Sequence, residues 1–272
     1  GEPRNPVVRA KLAQPMLPIG YAERTELIEK LDVLAQQKLT LISAPTGYGK
    51  TSLMASFAQR KAAEGRLVSW LTVDEEDADL ARFCRHAVAA LGGFGEVAAS
   101  KIEQVVETSG VDDGGLDDDA FVSMGNALFE ALPSDKPCYL LIDDYGSAEL
   151  GGFDAYLLRF CSSMPLSLHV VITSSAFSWS FQADAYRLGY GCLTGEDLSL
   201  TLDEARRLVD ASCEKPPSDE ALAEAYGRAE GWPQGLMLAA RTLSGVRRAA
   251  DVRLDGALLV VRRYFEAQVS RL

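Results

Sequence analysis

The sequence predicts an α/β fold: a parallel sheet covered by helices on both faces, followed by a small all-helical subdomain. Three observations carry this reading. Short apolar runs at 39–42, 67–71, 138–142 and 168–173 alternate with segments of helical period. Each run is apolar almost throughout, as a strand buried on both faces must be, and such strands belong to parallel sheets. From residue 201 onward strand signals vanish and only helical periodicity remains.

The elements follow in order. Residues 1–20 carry four of the eleven prolines and read as an extended lead-in. Residues 23–34 place Leu27, Ile28, Leu31 and Leu34 at helical spacing. The strand at 39–42 breaks into a small-residue loop, and Lys50-Thr51-Ser52 then opens a helix with Leu53, Met54 and Phe57 on its apolar side. A strand at 67–71 ends before the acidic Asp74-Glu-Glu-Asp77, and a helix at 80–91 gathers Phe83, Ala87, Val88 and Leu91 on one face. Helices at 101–108 and 118–132 flank a Gly/Asp-rich loop at 110–115, and a helix at 153–161 separates the last two strands. Helices at 201–211, 218–230, 234–243 and 249–272 complete the chain, with Trp179 in the loop before them either a buried anchor or part of a partner surface. The expected organisation is a lead-in with a flanking helix (1–36), an α/β domain (37–195) and a helical subdomain (196–272).

Composition narrows the function. The 272 residues are 47% hydrophobic and 24% charged, as in ordinary globular proteins. No apolar run approaches the ~20 residues of a membrane span, and the N-terminus lacks the apolar core of a signal peptide, so a cytoplasmic location is expected. A net charge of −12 argues against this chain itself gripping nucleic acid, which needs a clustered basic face. Five cysteines at wide spacings, no Cys-x-x-Cys pair and only two histidines argue against a zinc site; reduced buried thiols are the expectation.

The loop after the first strand, Ala44-Pro45-Thr46-Gly47-Tyr48-Gly49-Lys50-Thr51-Ser52, has the context of a phosphate cradle. Successive backbone N–H groups at a helix N-terminus bind polyphosphate. Lys50 would neutralise the terminal phosphates, and the Thr51 hydroxyl would ligate Mg²⁺. Ala44 stands where the P-loop pattern begins with glycine, which is tolerable if its φ stays negative. The run Tyr139-Leu-Leu-Ile-Asp-Asp144 ends a buried strand in two carboxylates. Asp143 would hold Mg²⁺ and Asp144 would orient or deprotonate an attacking water, against the blander reading of a solvated Asp-Asp turn. At the next strand end, Thr173, Ser174 or Ser175 could sense a γ-phosphate, although such hydroxyls usually meet solvent.

These segments, followed by Glu230-Gly-Trp-Pro-Gln-Gly-Leu236, resemble the STAND class of signal-transduction ATPases and, within it, the MalT-like branch of large LuxR-type regulators. The resemblance includes Lys11-Leu12 and Pro15, Arg24 with Leu27, the loop APTGYGKTSL, the strand Val68-Ser-Trp-Leu-Thr-Val-Asp74, CYLLIDDY, residues 198–205 and Gly231-Trp-Pro233. It implies an ATP/ADP switch with Mg²⁺ and slow hydrolysis, with nucleotide between the α/β and helical domains. Arg24 and Pro233 would flank the nucleotide, beside the loop residues Pro45–Ser52 and Ser174. It also implies C-terminal sensor and helix-turn-helix domains outside this chain, for which Gly1 in place of Met is the expected sign of a fragment, and self-association as a further option. One departure is Ser175, where related chains usually carry arginine; Arg82, Arg85 and Arg159 are candidate substitutes. The rival readings are a non-hydrolysing module that holds ADP and a stand-alone P-loop kinase.

Overall fold

The computed structural model describes residues 7–109, 118–148 and 153–243. The acidic loop expected at 110–115, the helix expected at 249–272 and the first six residues of the lead-in lie outside the described residues. The chain divides into two compact units. The first takes its described residues from Gly1–Met16, Glu26–Pro45 and Lys50–Thr194; the second takes them from Leu17–Thr25, Thr46–Gly49 and Gly195–Leu272.

The first unit is built on five parallel strands: β1 (Leu39–Ser43), β2 (Leu67–Thr72), β3 (Cys138–Asp143), β4 (Leu168–Ser174) and β5 (Tyr190–Thr194). Their spatial order is β2-β3-β4-β1-β5. The register aligns Ser43 with Ser174 and Ile142 with Ile172, so the carboxyl ends of β1, β3 and β4 lie level. Ligands of open parallel sheets collect at those strand ends. The strands are linked or covered by α1 (Thr25–Leu34), α2 (Lys50–Ala63), α3 (Leu80–Gly92), α4 (Glu96–Ser109), α5 (Asp118–Ala131), α6 (Asp154–Ser163) and α7 (Trp179–Leu188). Leu39, Leu41, Leu71, Leu140, Ile142, Val170 and Ile172 are buried with Phe83, Leu91, Leu128, Phe160 and Phe181 in one continuous core.

The structure adds two elements that apolar periodicity does not announce. The segment read as a loop around Trp179 is α7, capped by Ser178, whose hydroxyl accepts the Phe181 N–H. Trp179 is 84% exposed, so it is not a buried anchor. Strand β5 carries Gly191 in its interior because a Cβ there would come within 2.7 Å of Leu34 Cβ. That close approach of α1 costs β5 the apolar run by which the other strands are recognised.

In the second unit, α8 (Gly195–Leu198) is a single turn, and α9 (Leu202–Ser212), α10 (Asp219–Ala229) and α11 (Pro233–Leu243) form a small bundle. Leu200, Ala205, Val209, Leu222, Leu236, Ala240 and Leu243 make its core. Thr201 and Glu204 form a capping box at the start of α9, the Thr-x-x-Glu pattern that satisfies two orphan N–H groups at once.

A buried polar chain fastens the lead-in to the first unit. Lys11 Nζ lies 2.5 Å from Asp77 Oδ2 and 2.7 Å from Asp74 Oδ1. Asp77 Oδ1 lies 2.9 Å from His86 Nδ1, and His86 Nε2 lies 3.0 Å from the Val8 nitrogen. Because Nε2 must accept the Val8 N–H, the network assigns the ring proton to Nδ1, which donates to Asp77. His86 is therefore a linker between a carboxylate and a backbone donor. Asp77 has no exposed surface, and removing it strands the Lys11 ammonium with only the half-exposed Asp74. Asp77→Ala should lower the unfolding free energy by about 3–5 kcal/mol, measured by urea denaturation.

Candidate functional site

Within the first unit, the ends of β3 and β4 and the start of α2 assemble a set of hydroxyl and carboxylate groups. Asp143, the last residue of β3, is buried and its Oδ1 accepts two hydroxyl hydrogen bonds, from Thr173 Oγ1 at 2.6 Å and from Thr51 Oγ1 at 3.1 Å. The Thr173 hydroxyl also accepts the Asp144 N–H at 2.8 Å. Thr173 thus fixes both the carboxylate and the turn that follows it. Asp144 is exposed and adopts φ 59°, a left-handed conformation that aspartate tolerates better than most side chains.

Lys50, the first residue of α2, donates to Ala44 O at 2.7 Å and Pro45 O at 3.2 Å. Ala44 is buried and keeps a negative φ, which is why it replaces the usual glycine without strain. Burial draws the Lys50 ammonium below its ordinary pKa, and the carboxylates of Asp144 and Asp143 oppose that shift. Burial likewise pushes the Asp143 carboxyl up, helped by the repulsion of Asp144, against the hydrogen bonds from Thr173 and Thr51 and the attraction of Lys50. Thr51 Oγ1 and Asp143 Oδ1, 3.1 Å apart, are hard oxygens of the type that divalent cations take as ligands.

Within the second unit, the loop residues Thr46–Gly49 meet the start of α11. Trp232 Nε1 donates to Thr46 O at 3.2 Å, and the Gln234 N–H donates to Gly47 O at 3.1 Å. Gly47 sits at φ 87°, and a Cβ on it would overlap Gln234 Oε1 and lie 2.7 Å from Trp232 Nε1. Gly49 also has positive φ, with open space around it. Pro233 is the first residue of α11, where its missing N–H costs nothing.

The sequence-predicted residues divide accordingly. Lys50, Thr51, Asp143 and Asp144 are brought together at the strand ends of the first unit. Thr46 and Gly47 lie against Trp232 and Gln234, with Pro45, Tyr48, Gly49 and Ser52 along the same loop and first helical turn. Ser174 is buried, and its hydroxyl is 2.5 Å from Ala176 O in a local turn. It is Thr173 that reaches the Asp143–Asp144 pair, while Ser175 is exposed. Arg24 binds Glu204 in a fork, Nε to Oε1 at 2.9 Å and Nη2 to Oε2 at 3.2 Å, and donates to the carbonyls of Leu198 and Ser199. Those bonds secure the entry to α9. Burial raises the Glu204 carboxyl, but the hydrogen bonds from Arg24 and Thr201 outweigh it and hold the group below the usual glutamate pKa. Arg82 pairs with Glu76. Sequence reasoning missed the contacts of Trp232, Gln234 and Glu204; only Glu204 carried a local signal, the Thr-x-x-Glu box.

Parallel strands with level carboxyl ends, a glycine-bearing loop leading into Lys50-Thr51, and an aspartate closing the adjacent strand series define a P-loop NTPase. No protein-family model matches the chain. It is 26% identical over 249 residues to the HTH-type transcriptional regulator MalT of Serratia proteamaculans, covering 86% of this chain and 25% of that protein. It is also 26% identical over 273 residues to the serine/threonine-protein kinase PknK of Mycobacterium tuberculosis, covering 97% of this chain and 24% of that one. The chain spans about a quarter of the length of the curated relatives it matches. In fold it is similar to a Walker-type ATPase of Pyrococcus abyssi, with a TM-score of 0.52 at 16% identity, over 92% of this chain and 76% of that one. The chain is thus similar to MalT over most of its length, and its fold is that of a P-loop NTPase. Among the described residues no helix is long and apolar enough to cross a membrane.

Two outcomes follow from the geometry. Asp143 has its folded-state pKa raised, so the stability it contributes is complete below the ordinary carboxylate range and is lost as pH rises through that raised value. Asp143→Asn should therefore equal or exceed wild type in thermal midpoint at neutral pH, with the difference closing on acidification, as followed by circular dichroism. Gly47→Ala combines positive φ with overlap, and should cost at least about 1–2 kcal/mol in urea denaturation.

Proposed function

We propose that this chain is the ATP/ADP-binding switch module of a longer LuxR-type transcription regulator, with slow ATP hydrolysis. The observation that carries the reading is the hydrogen-bonded set Thr51–Asp143–Thr173 beside Lys50, in a chain similar to MalT. Lys50 neutralises the terminal phosphates, giving up its bonds to the Ala44 and Pro45 carbonyls to do so. Thr51 and Asp143 hold Mg²⁺, which when bound screens the phosphate charge. Asp144, exposed and turned out of the strand by its left-handed backbone, orients the attacking water. Pro233 would pack near the base, as in the MalT-like branch, and Arg24 secures the α9 cap through Glu204. The sensor and DNA-binding functions belong to other parts of the regulator, in keeping with the acidic charge of this one.

A second reading, a module that retains ADP without turnover, draws on Ser175. Its exposed hydroxyl cannot supply the cation that related chains carry there. Calorimetric titration with MgATP and MgADP tests the binding reading. Wild type should bind both, and Lys50→Ala should weaken binding by about 10- to 100-fold, the loss expected for a charged hydrogen bond. No binding by folded wild type, or equal binding by the variant, would overturn it. Phosphate release under saturating MgATP then separates the slow ATPase from the ADP-holding module.

A further inference from the structure

The segment Gly231-Trp232-Pro233-Gln234-Gly235 contains more design than a helix start requires. Gly231 has φ 77°, and a Cβ on it would lie 2.7 Å from Leu200 O, so the chain can turn into α11 here only as glycine. Pro233 then sets the first helical φ. Gly235 leaves the room in which the indole lies, since a Cβ there would overlap the six-membered ring of Trp232. The indole is buried, yet its N–H is directed at a loop carbonyl rather than spent on its own helix.

We propose that Trp232 and the Gln234 backbone form a clamp that orients the phosphate loop, making Trp232 a positioning residue for bound polyphosphate. The inference rests on the nucleotide-site reading above. Its geometry follows from peptide planarity. In a trans peptide the carbonyl of one residue and the N–H of the next point in opposite directions. Holding Thr46 O and Gly47 O toward α11 therefore turns the N–H groups of Gly47 and Tyr48 to the opposite side of the loop. Successive N–H groups directed to one side make an anion-binding concavity. The clamp supplies that orientation before any ligand arrives, and the tight packing of Gln234 and Trp232 on Gly47 keeps the peptide planes from rotating back.

The test pairs a variant with a spectroscopic signature. Trp232→Phe retains the ring and removes the N–H. It should keep the wild-type circular dichroism spectrum while binding MgADP and inorganic tripolyphosphate about 3- to 10-fold more weakly, the effect of one hydrogen bond. In wild type labelled with ¹⁵N-tryptophan, the Trp232 indole N–H should exchange with solvent far more slowly than that of Trp179, the other two of the three indole signals being identified by Trp179→Phe and Trp70→Phe. The Trp232 resonance should also move on addition of tripolyphosphate, a measurement that stands even if Trp232→Phe fails to fold. Unchanged tripolyphosphate affinity in a folded Trp232→Phe would overturn the clamp, as would an indole exchanging as fast as that of Trp179. If folded wild type binds neither MgADP nor tripolyphosphate, the nucleotide reading fails and takes the positioning role with it. A binding wild type with an indifferent Trp232→Phe sinks the clamp alone.

Discussion

The strand-end cluster of the α/β unit depends on holding one carboxylate where solvent cannot reach it. Asp143 closes an apolar strand and is buried, a placement that ordinarily drives a carboxyl to its neutral form. It is kept in place by hydroxyls from two other elements, Thr173 on β4 and Thr51 on α2. That arrangement is available only because the strands are parallel and in register, so that β3 and β4 end at the same level. It also explains why Thr173 is threonine. A β-branched residue suits the strand, and its hydroxyl both donates to Asp143 and accepts from Asp144.

The loop and the start of α11 are governed by a different constraint, the close approach of two backbones. Gly47, Gly231 and Gly235 each lie where a methyl group would overlap or crowd a neighbour, and each clears space for Trp232, Gln234 or the chain beside them. Arg24 serves the same unit from the lead-in, by joining Glu204 to the carbonyls that end α8. Both devices spend strong hydrogen-bonding groups on a few backbone carbonyls. This is the economy expected where exact peptide orientation matters more than buried area.

What could be read in the sequence was what each residue announces by itself. Strands β1, β2, β3 and β4 were legible because burial on both faces makes them uniformly apolar, and the loop was legible because Lys50-Thr51 must follow glycine. Strand β5 was not, since Gly191 is required by the contact with Leu34 and destroys the apolar run. Helix α7 was hidden because Trp179 and Tyr186 face solvent, inverting the pattern that marks a helix's inner side. At the site, the aspartates were evident from their strand, but the choice among Thr173, Ser174 and Ser175 was not. Three adjacent hydroxyls look alike until the pleat turns one toward Asp143 and folds the next into its own turn with Ala176. The partners of Trp232 and Arg24 were out of reach for a related reason: they lie 186 and 180 residues away in sequence, at Thr46 and Glu204.

The groups proposed to bind nucleotide and those proposed to hydrolyse it differ in how firmly the protein holds them. Thr51 and Asp143 are held by each other and by Thr173 before a ligand arrives, while Lys50 is parked on the Ala44 and Pro45 carbonyls that it leaves to reach phosphate. Asp144 is exposed, anchored chiefly through its backbone N–H, and Ser175 beside the same strand ends is exposed as well. Preorganisation of this kind favours affinity, because the ordering cost is met in folding rather than in binding. Catalysis would require the same rigidity at the water-positioning group and a cation facing the developing charge, and neither is built into Asp144 or Ser175. A site tight for nucleotide and slow in turnover is what a switch requires, since its signal lasts only as long as the bound nucleotide survives.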